Sequence, residues 1–289
     1  MSGAGSPTGS LLMAPRADDP RLRRPPSFAW RRATAPLRAL PDFLIVGAMK
    51  AGTSSLFAAL RQHPLVAPPY RKECHYFTLG RPAGRSLSWY RAHFPLRARM
   101  GRGAITGEAT PEYGYEPGVI EDVARLLPGV RLILLVRDPA ERAVSHYFHE
   151  VRMGRETLPI EAAMAAEEAR LAAARAAGPA GRETLAHAAY KARGRYHEQV
   201  SRYLRVVPRD RLLVLSFADL EDEPAALLAR TERFLGLPPS GGAITVPRRN
   251  EGTNRTPVPA AVRDALAAHF APHDAALADL LGQPVPWRR

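Results

Sequence analysis

The stretch that decides the fold is 42–64, DFLIVGAMKAGTSSLFAALRQHP. Its first six residues are an apolar run closed by glycine, the pattern of a strand buried on both faces of a parallel sheet. Beyond the turn, Leu56 and Leu60 with intervening alanines fall at helical spacing; Thr53 can cap this helix and Pro64 ends it. Strand, glycine-bearing turn and helix in succession open a doubly wound α/β domain.

The same unit recurs outward from this point. VRLILLVRD (130–138) is a stronger buried strand, and 139–154 is the helix after it, with Pro139 at a favoured first-turn position. DRLLVLSF (210–217) reads as a third strand, 223–238 as a helix closed by Gly236 and Pro238, and about 258–271 as a final helix. Between the second and third strands, two Ala/Glu/Arg-rich stretches, 159–177 and 183–206, are split by GPAG (178–181). The first has few large apolar anchors and reads as a surface helix or mobile lid. The fold expected is α/β: a single P-loop-like domain over 41–289, with a central parallel sheet flanked by helices. Residues 1–40 hold seven Arg and two Asp among Gly, Ser, Pro and Ala without periodicity, and are expected to form a disordered basic tail.

Hydrophobic residues at 46% and charged residues at 24% support a packed core and exclude wholesale disorder. The net charge of +13 points to anionic partners: nucleic acid, an acidic membrane face, or small molecules bearing phosphate or sulfate. One cysteine, Cys74, excludes an intrachain disulfide and a CxxC zinc site. No apolar run reaches the roughly 18–20 residues of a membrane span. Arg23-Arg24 is followed by Pro25-Pro26 instead of an apolar leader core, so a cytoplasmic location is expected. Lysine occurs three times, at Lys50, Lys72 and Lys191, and the other 38 basic residues are Arg. Either these are the leftovers of an arginine-biased codon usage, or they mark positions that need a compact ammonium where a planar guanidinium would not serve.

Two of those lysines fall in motifs. The turn Gly47-Ala48-Met49-Lys50-Ala51-Gly52-Thr53 aims backbone N–H groups and a helix N-terminus at an anion. It lacks the Lys-Thr pair that ends a nucleotide-triphosphate loop, and no acidic residue closes a later strand, so the expected ligand is a phosphate-like anion handled by Lys50 without a metal, although a Gly-rich strand–helix turn taken alone is a weak signal. Lys72-Glu73-Cys74-His75-Tyr76-Phe77, if extended, sets Glu73 and His75 on one side, a plausible general-base unit or a solvated ion pair. Arg137 ends the best buried strand at the edge where open α/β sheets bind ligands, and Ser145 lies about two turns into the next helix, together a second phosphate site.

In order along the chain, FLIVGAMKAGTSSL, HPLV, KECHYF, GEATPEY, LLVRDPAERAVSHY, GRY, FLGLP and RRNEGTN resemble the sulfotransferases that use 3′-phosphoadenosine 5′-phosphosulfate (PAPS), closest to the carbohydrate type that includes heparan sulfate enzymes and bacterial relatives. The resemblance runs from residue 42 to the C-terminus. It implies metal-independent transfer of a sulfuryl group to a small-molecule or glycan acceptor. Lys50, Ala51, Gly52 and Thr53 would hold the 5′-phosphosulfate, with Lys50 stabilising charge on the bridging oxygen and Ser54 and Ser55 adding hydroxyls. Arg137 and Ser145 match the 3′-phosphate pair, Glu73 the general base, and His75 the histidine beside it. The survival of Lys72 beside Glu73 fits the same chemistry, Tyr196 contacts the cofactor or frames the cleft, and Arg249 and Asn250 belong to a cofactor loop. Ala109 and the Arg248-Arg249-Asn250 stretch depart from the heparan pattern. The alternatives are a P-loop kinase or NTPase and a basic nucleic-acid-binding protein; on this reading no nucleic acid partner is expected.

Overall fold

The computed structural model describes residue 24, residues 27–247 and 256–285, and residue 287. Five strands, β1 (Phe43–Gly47), β2 (Val66–Ala67), β3 (Ile105–Ala109), β4 (Arg131–Val136) and β5 (Leu212–Ser216), form one sheet in the order β2-β3-β1-β4-β5. Every pairing is parallel; Leu44 of β1 lies opposite Glu108 of β3 and Leu132 of β4. Alternation along the strands splits the core in two. Leu44, Val46, Leu132 and Leu134 point into one layer, and Phe43, Ile45, Ile133 and Leu135 into the other. Both faces are covered, as the unbroken apolar runs required.

The helices are α1 (Phe28–Ala33), α2 (Thr53–Leu60), α3 (Leu87–Arg91), α4 (Val119–Leu126), α5 (Pro139–Arg152), α6 (Ile160–Ala176), α7 (Arg182–His187), α8 (Tyr196–Val206), α9 (Phe217–Asp222), α10 (Pro224–Leu235) and α11 (Ala260–Leu281). Leu56 and Leu60 of α2 join Leu227 and Leu235 of α10 on one face, while Val123 of α4 and Val200 of α8 cover the other. Because β1 lies at the centre, chain leaves it toward β2 and β3 on one side and β4 and β5 on the other. That reversal opens a crevice at the carboxyl edge of the sheet.

Several expectations change. The tail does not extend to residue 40 as a disordered segment: α1 buries Phe28 against Trp89 and His93, and Arg38 is itself buried, donating to the Phe94 carbonyl. Residues 1–23, 25 and 26 lie outside the described residues. The helix after β1, α2, is capped by Gly52, not Thr53, and stops at Leu60, before Pro64. The stretch read as a surface helix or mobile lid is the former: it packs as α6, burying Ile160, Met164 and Leu171 along one stripe with small alanines between them and leaving its other face exposed. The last helix runs through Pro272 to Leu281, well past residue 271.

Candidate active site

All five strands deliver residues to that edge, around a cavity of about 710 Å³. Lys50, Gly52, Thr53, Ser54 and Ser55 come from the turn after β1, Lys72 and Glu73 from the chain beyond β2, and Glu112 from beyond β3. Arg137, Ser145, His149 and Arg152 follow β4, and Phe217 follows β5. Nine of the residues singled out in the sequence therefore meet around one space: Lys50, Gly52, Thr53, Ser54, Ser55, Lys72, Glu73, Arg137 and Ser145.

The turn takes its shape from two left-handed residues, Lys50 at φ 68° and Gly52 at φ 86°. Gly52 needs glycine twice over, since a Cβ there would lie 2.7 Å from the Phe217 ring. Lys50 has no ion pair among the described residues. Burial pulls its ammonium below the ordinary lysine range, and the neighbouring Arg152 and Arg137 charges add to that; Glu150 opposes. A partly desolvated cation beside two more cations is a site that gains from an anion. Arg137 reaches Glu141 at 3.4 Å and lays its guanidinium over the Phe217 ring at 5.0 Å.

Glu73 is paired with Lys72 and lies 3.5 Å from Nε2 of His75. Burial alone would raise its carboxyl pKa, but the His75 hydrogen bond and the Lys72 charge outweigh burial and hold it at about 2. The segment is not an extended strand. The carbonyl of Lys72 accepts from the Ala109 N–H at the end of β3, and His75 is left-handed at φ 51°, starting a π-helical turn over Tyr76–Gly80. His75 therefore meets Glu73 through a bend. It is buried and does not line the cavity, and its Nδ1 faces Glu112 at 3.8 Å.

Of the remaining expectations, Ala51 is fully buried behind the turn. Tyr196 neither reaches the cavity nor frames it: it is 1% exposed, and its hydroxyl donates to the Arg137 carbonyl at 3.0 Å, fixing the end of β4 from beneath. Arg249 and Asn250 lie outside the described residues.

The sequence reading missed His149 and Arg152, although their spacing from Ser145 put all three on one face of α5. It also missed Glu108. This side chain is fully buried in β3, and its Oε2 accepts from the Cys74 N–H at 2.9 Å and the Thr110 hydroxyl at 2.7 Å. Its Oε1 accepts from Tyr90 at 2.7 Å and Tyr113 at 3.0 Å, and the Tyr113 hydroxyl in turn accepts from the Tyr76 N–H. Glu108 thus clamps the backbone on both sides of His75. A second hollow of about 600 Å³, lined by Phe57, Ala58, Arg61 and Gln62, shares Ser54, Lys72 and Glu73 with the first. Glu73 sits on the wall between two spaces.

A match to the sulfotransferase domain spans residues 40–250. The chain belongs to the sulfotransferase family. The crystal structure of a sulfotransferase from Alicyclobacillus acidocaldarius is 30% identical, with a TM-score of 0.69 over 87% of this chain and all of that one. Human heparan sulfate glucosamine 3-O-sulfotransferase 6 is 34% identical over 69% of this chain and 53% of its own length. The membrane-associated sulfotransferase kil1 of Dictyostelium discoideum is 36% identical over 40% of this chain and 24% of its own. The chain thus spans about half or less of these curated relatives. Among the described residues, no helix is long and apolar enough to cross a membrane.

Proposed function

We propose that this sulfotransferase moves a sulfuryl group from PAPS to an acceptor hydroxyl on a carbohydrate or sugar-bearing metabolite. One observation carries the reading: the partly desolvated Lys50, with no ion pair among the described residues, stands at a helix N-terminus with Arg137 and four hydroxyl side chains around the same cavity. That donor set fits a ligand with two separated phosphate groups. When bound, PAPS supplies an activated sulfuryl group on a phosphate leaving group. Arg137 and Ser145 hold the 3′-phosphate, and Thr53, Ser54, Ser55 and the first N–H groups of α2 hold the 5′ end. Lys50 neutralises charge as it grows on the bridging oxygen, a task suited to a point charge. Glu73 takes the acceptor proton, and His75 orients it. Its place between two spaces supports this: the acceptor enters by the hollow beside Arg61 and Gln62, opposite the donor. The lone buried Cys74 suits a cytoplasmic setting.

The test has two arms. Thermal shift with 3′,5′-adenosine bisphosphate without Mg²⁺ should stabilise the protein, and ATP with Mg²⁺ should not; the reverse points to a kinase or NTPase. Labelled PAPS incubated with a host metabolite extract should then mark an acceptor identifiable by mass spectrometry. Glu73→Gln should cut turnover at least about 100-fold with donor affinity nearly unchanged, and His75→Ala less. Retained activity in the first and none in the second would make His75 the base.

A further inference from the structure

Away from the cavity, the start of α8 meets the middle of α11 at a cluster of imidazoles. Among the described residues, one group of His, Cys, Asp or Glu side chains brings three possible metal donors together: His197, Glu198 and His273, with one atom from each within 4.8 Å of the others. The His197 and His273 rings stack at 4.9 Å, and His269, one helical turn before His273, lies 5.3 Å from it. Two nitrogens in this cluster, Nδ1 of His197 and Nε2 of His269, are buried without a hydrogen-bond partner. Buried polar atoms in native proteins are almost always satisfied, so two orphans on the histidines either side of His273 call for a ligand. The other imidazole cluster, around Glu150, also leaves both His146 nitrogens without a hydrogen-bond partner, but among the described residues it brings no three donors together, and Arg155 holds its carboxylate at 2.6 Å.

We propose that His197, His273 and Glu198 form a site for a divalent transition metal of the zinc class, next to His269. Imidazole nitrogen with a single carboxylate suits zinc, copper or nickel and not calcium or magnesium. Donors about 2.1 Å from a tetrahedral centre stand about 3.4 Å apart, so side-chain rotation within the observed 4.8 Å closes the site. Arg195, 3.8 Å from Glu198, must share that carboxylate, which further disfavours weakly held cations. None of these residues lines the sulfotransferase cavity, so the ion is structural. It ties α11 to the residue after Tyr196, whose hydroxyl holds the Arg137 carbonyl.

The test uses the untagged full chain, stripped with a chelator and titrated with Zn²⁺ or Co²⁺. At a hundredfold excess over the dissociation constant, Zn²⁺ should raise Tm by at least about 5 °C, and Mg²⁺ should not. His273→Ala should abolish that shift while keeping the stabilisation by 3′,5′-adenosine bisphosphate. The proposal is overturned if His273→Ala keeps the full Zn²⁺ shift, if Mg²⁺ works equally, or if phosphate is the ion whose effect that variant loses. Should His273→Ala not fold, Co²⁺ decides: visible d–d absorption lost in His273→Asn supports the site, and its absence from the wild type refutes it. Failure of the sulfuryl-transfer reading would remove only the adenosine bisphosphate control and leave the metal readouts unchanged.

Discussion

Removing Glu108 should damage the protein in a way that depends on what replaces it. Four donors converge on its two oxygens: the Cys74 N–H, Thr110, Tyr90 and Tyr113. An ionised carboxyl offers lone pairs for all four. In Glu108→Ala all four are left buried, and each unsatisfied group costs about 1–3 kcal/mol. Three of the four are hydroxyls that can rotate toward other acceptors, and the cost of burying a charge disappears. A net loss of about 3–5 kcal/mol remains, as when one member of a buried polar network is deleted. In a chain of this size that lowers Tm by roughly 6–20 °C. Glu108→Gln keeps one oxygen for Cys74 and Thr110 and turns an amide toward Tyr90 and Tyr113. Both hydroxyls can accept from it but lose their own acceptor, so the loss is about 1–3 kcal/mol, still below that of Glu108→Ala. Urea denaturation of the two variants measures the difference. Because Cys74 is flanked by Glu73 and His75, Glu108→Gln should keep donor affinity and lower turnover. Equal destabilisation by Ala and Gln, or a loss under about 1 kcal/mol for Ala, would refute the clamp.

Arg137→Ala should weaken 3′,5′-adenosine bisphosphate about tenfold or more, and adenosine 5′-phosphosulfate far less, since the second ligand lacks the 3′-phosphate; calorimetry of both decides, and equal losses would take Arg137 out of that role. Gly52→Ala should abolish donor binding or unfold the protein, because its φ of 86° and the Phe217 ring leave no place for a methyl group; a thermal shift with adenosine bisphosphate resembling the wild type would contradict this. Tyr196→Phe, which frees the Arg137 carbonyl, should loosen the same ligand by only about threefold to tenfold, one neutral hydrogen bond's worth, measured by the same calorimetry. Glu73, held at about 2 against an ordinary 4.5, contributes stability present above pH 4.5 and lost as pH falls toward 2. Lys72→Met removes part of that contribution, so its Tm deficit relative to wild type should be constant from pH 7 to 5 and shrink between pH 4.5 and 2.

The fold was legible where one residue type was repeated and illegible where contacts across the sheet decided. β1 and β4 announced themselves because both faces are buried and, after Arg131 at the start of β4, no residue is polar. β3 did not: it reads ITGEA, and its glycine is set by the Phe43 ring, which stands 2.6 Å from where a Cβ would be. Its Glu108 looks like a surface residue until Cys74 and the two tyrosines close around it. Lys50, Arg137 and Ser145 were legible because the ends of buried strands fix where the next residues go. His75 was half legible. Its proximity to Glu73 followed from spacing, but the route, a left-handed bend in place of an extended strand, depends on a clamp 34 residues away in sequence. Tyr196 was placed in the cleft by resemblance, whereas its own hydrogen bond puts it one layer beneath.

The state of Glu73 bears on how the proposed transfer can work. A carboxyl held at about 2 is ionised at any physiological pH, and it is a weak base for the same reason. The two partners that depress it, His75 and Lys72, are not equivalent. His75 is buried and held by the backbone around it, so its contribution persists through the reaction. Lys72 is partly exposed and lines both hollows together with Glu73. A second anion entering the larger cavity competes with Glu73 for that ammonium. Whatever share of the charge the anion takes is removed from Glu73, whose proton affinity rises accordingly. On this argument the carboxyl becomes an effective base only when the donor side is filled, which restrains proton removal from the acceptor until a sulfuryl group is in place. A lysine suits this better than an arginine: its ammonium is compact and turns on a flexible stem, whereas a bidentate guanidinium would stay locked on the carboxylate.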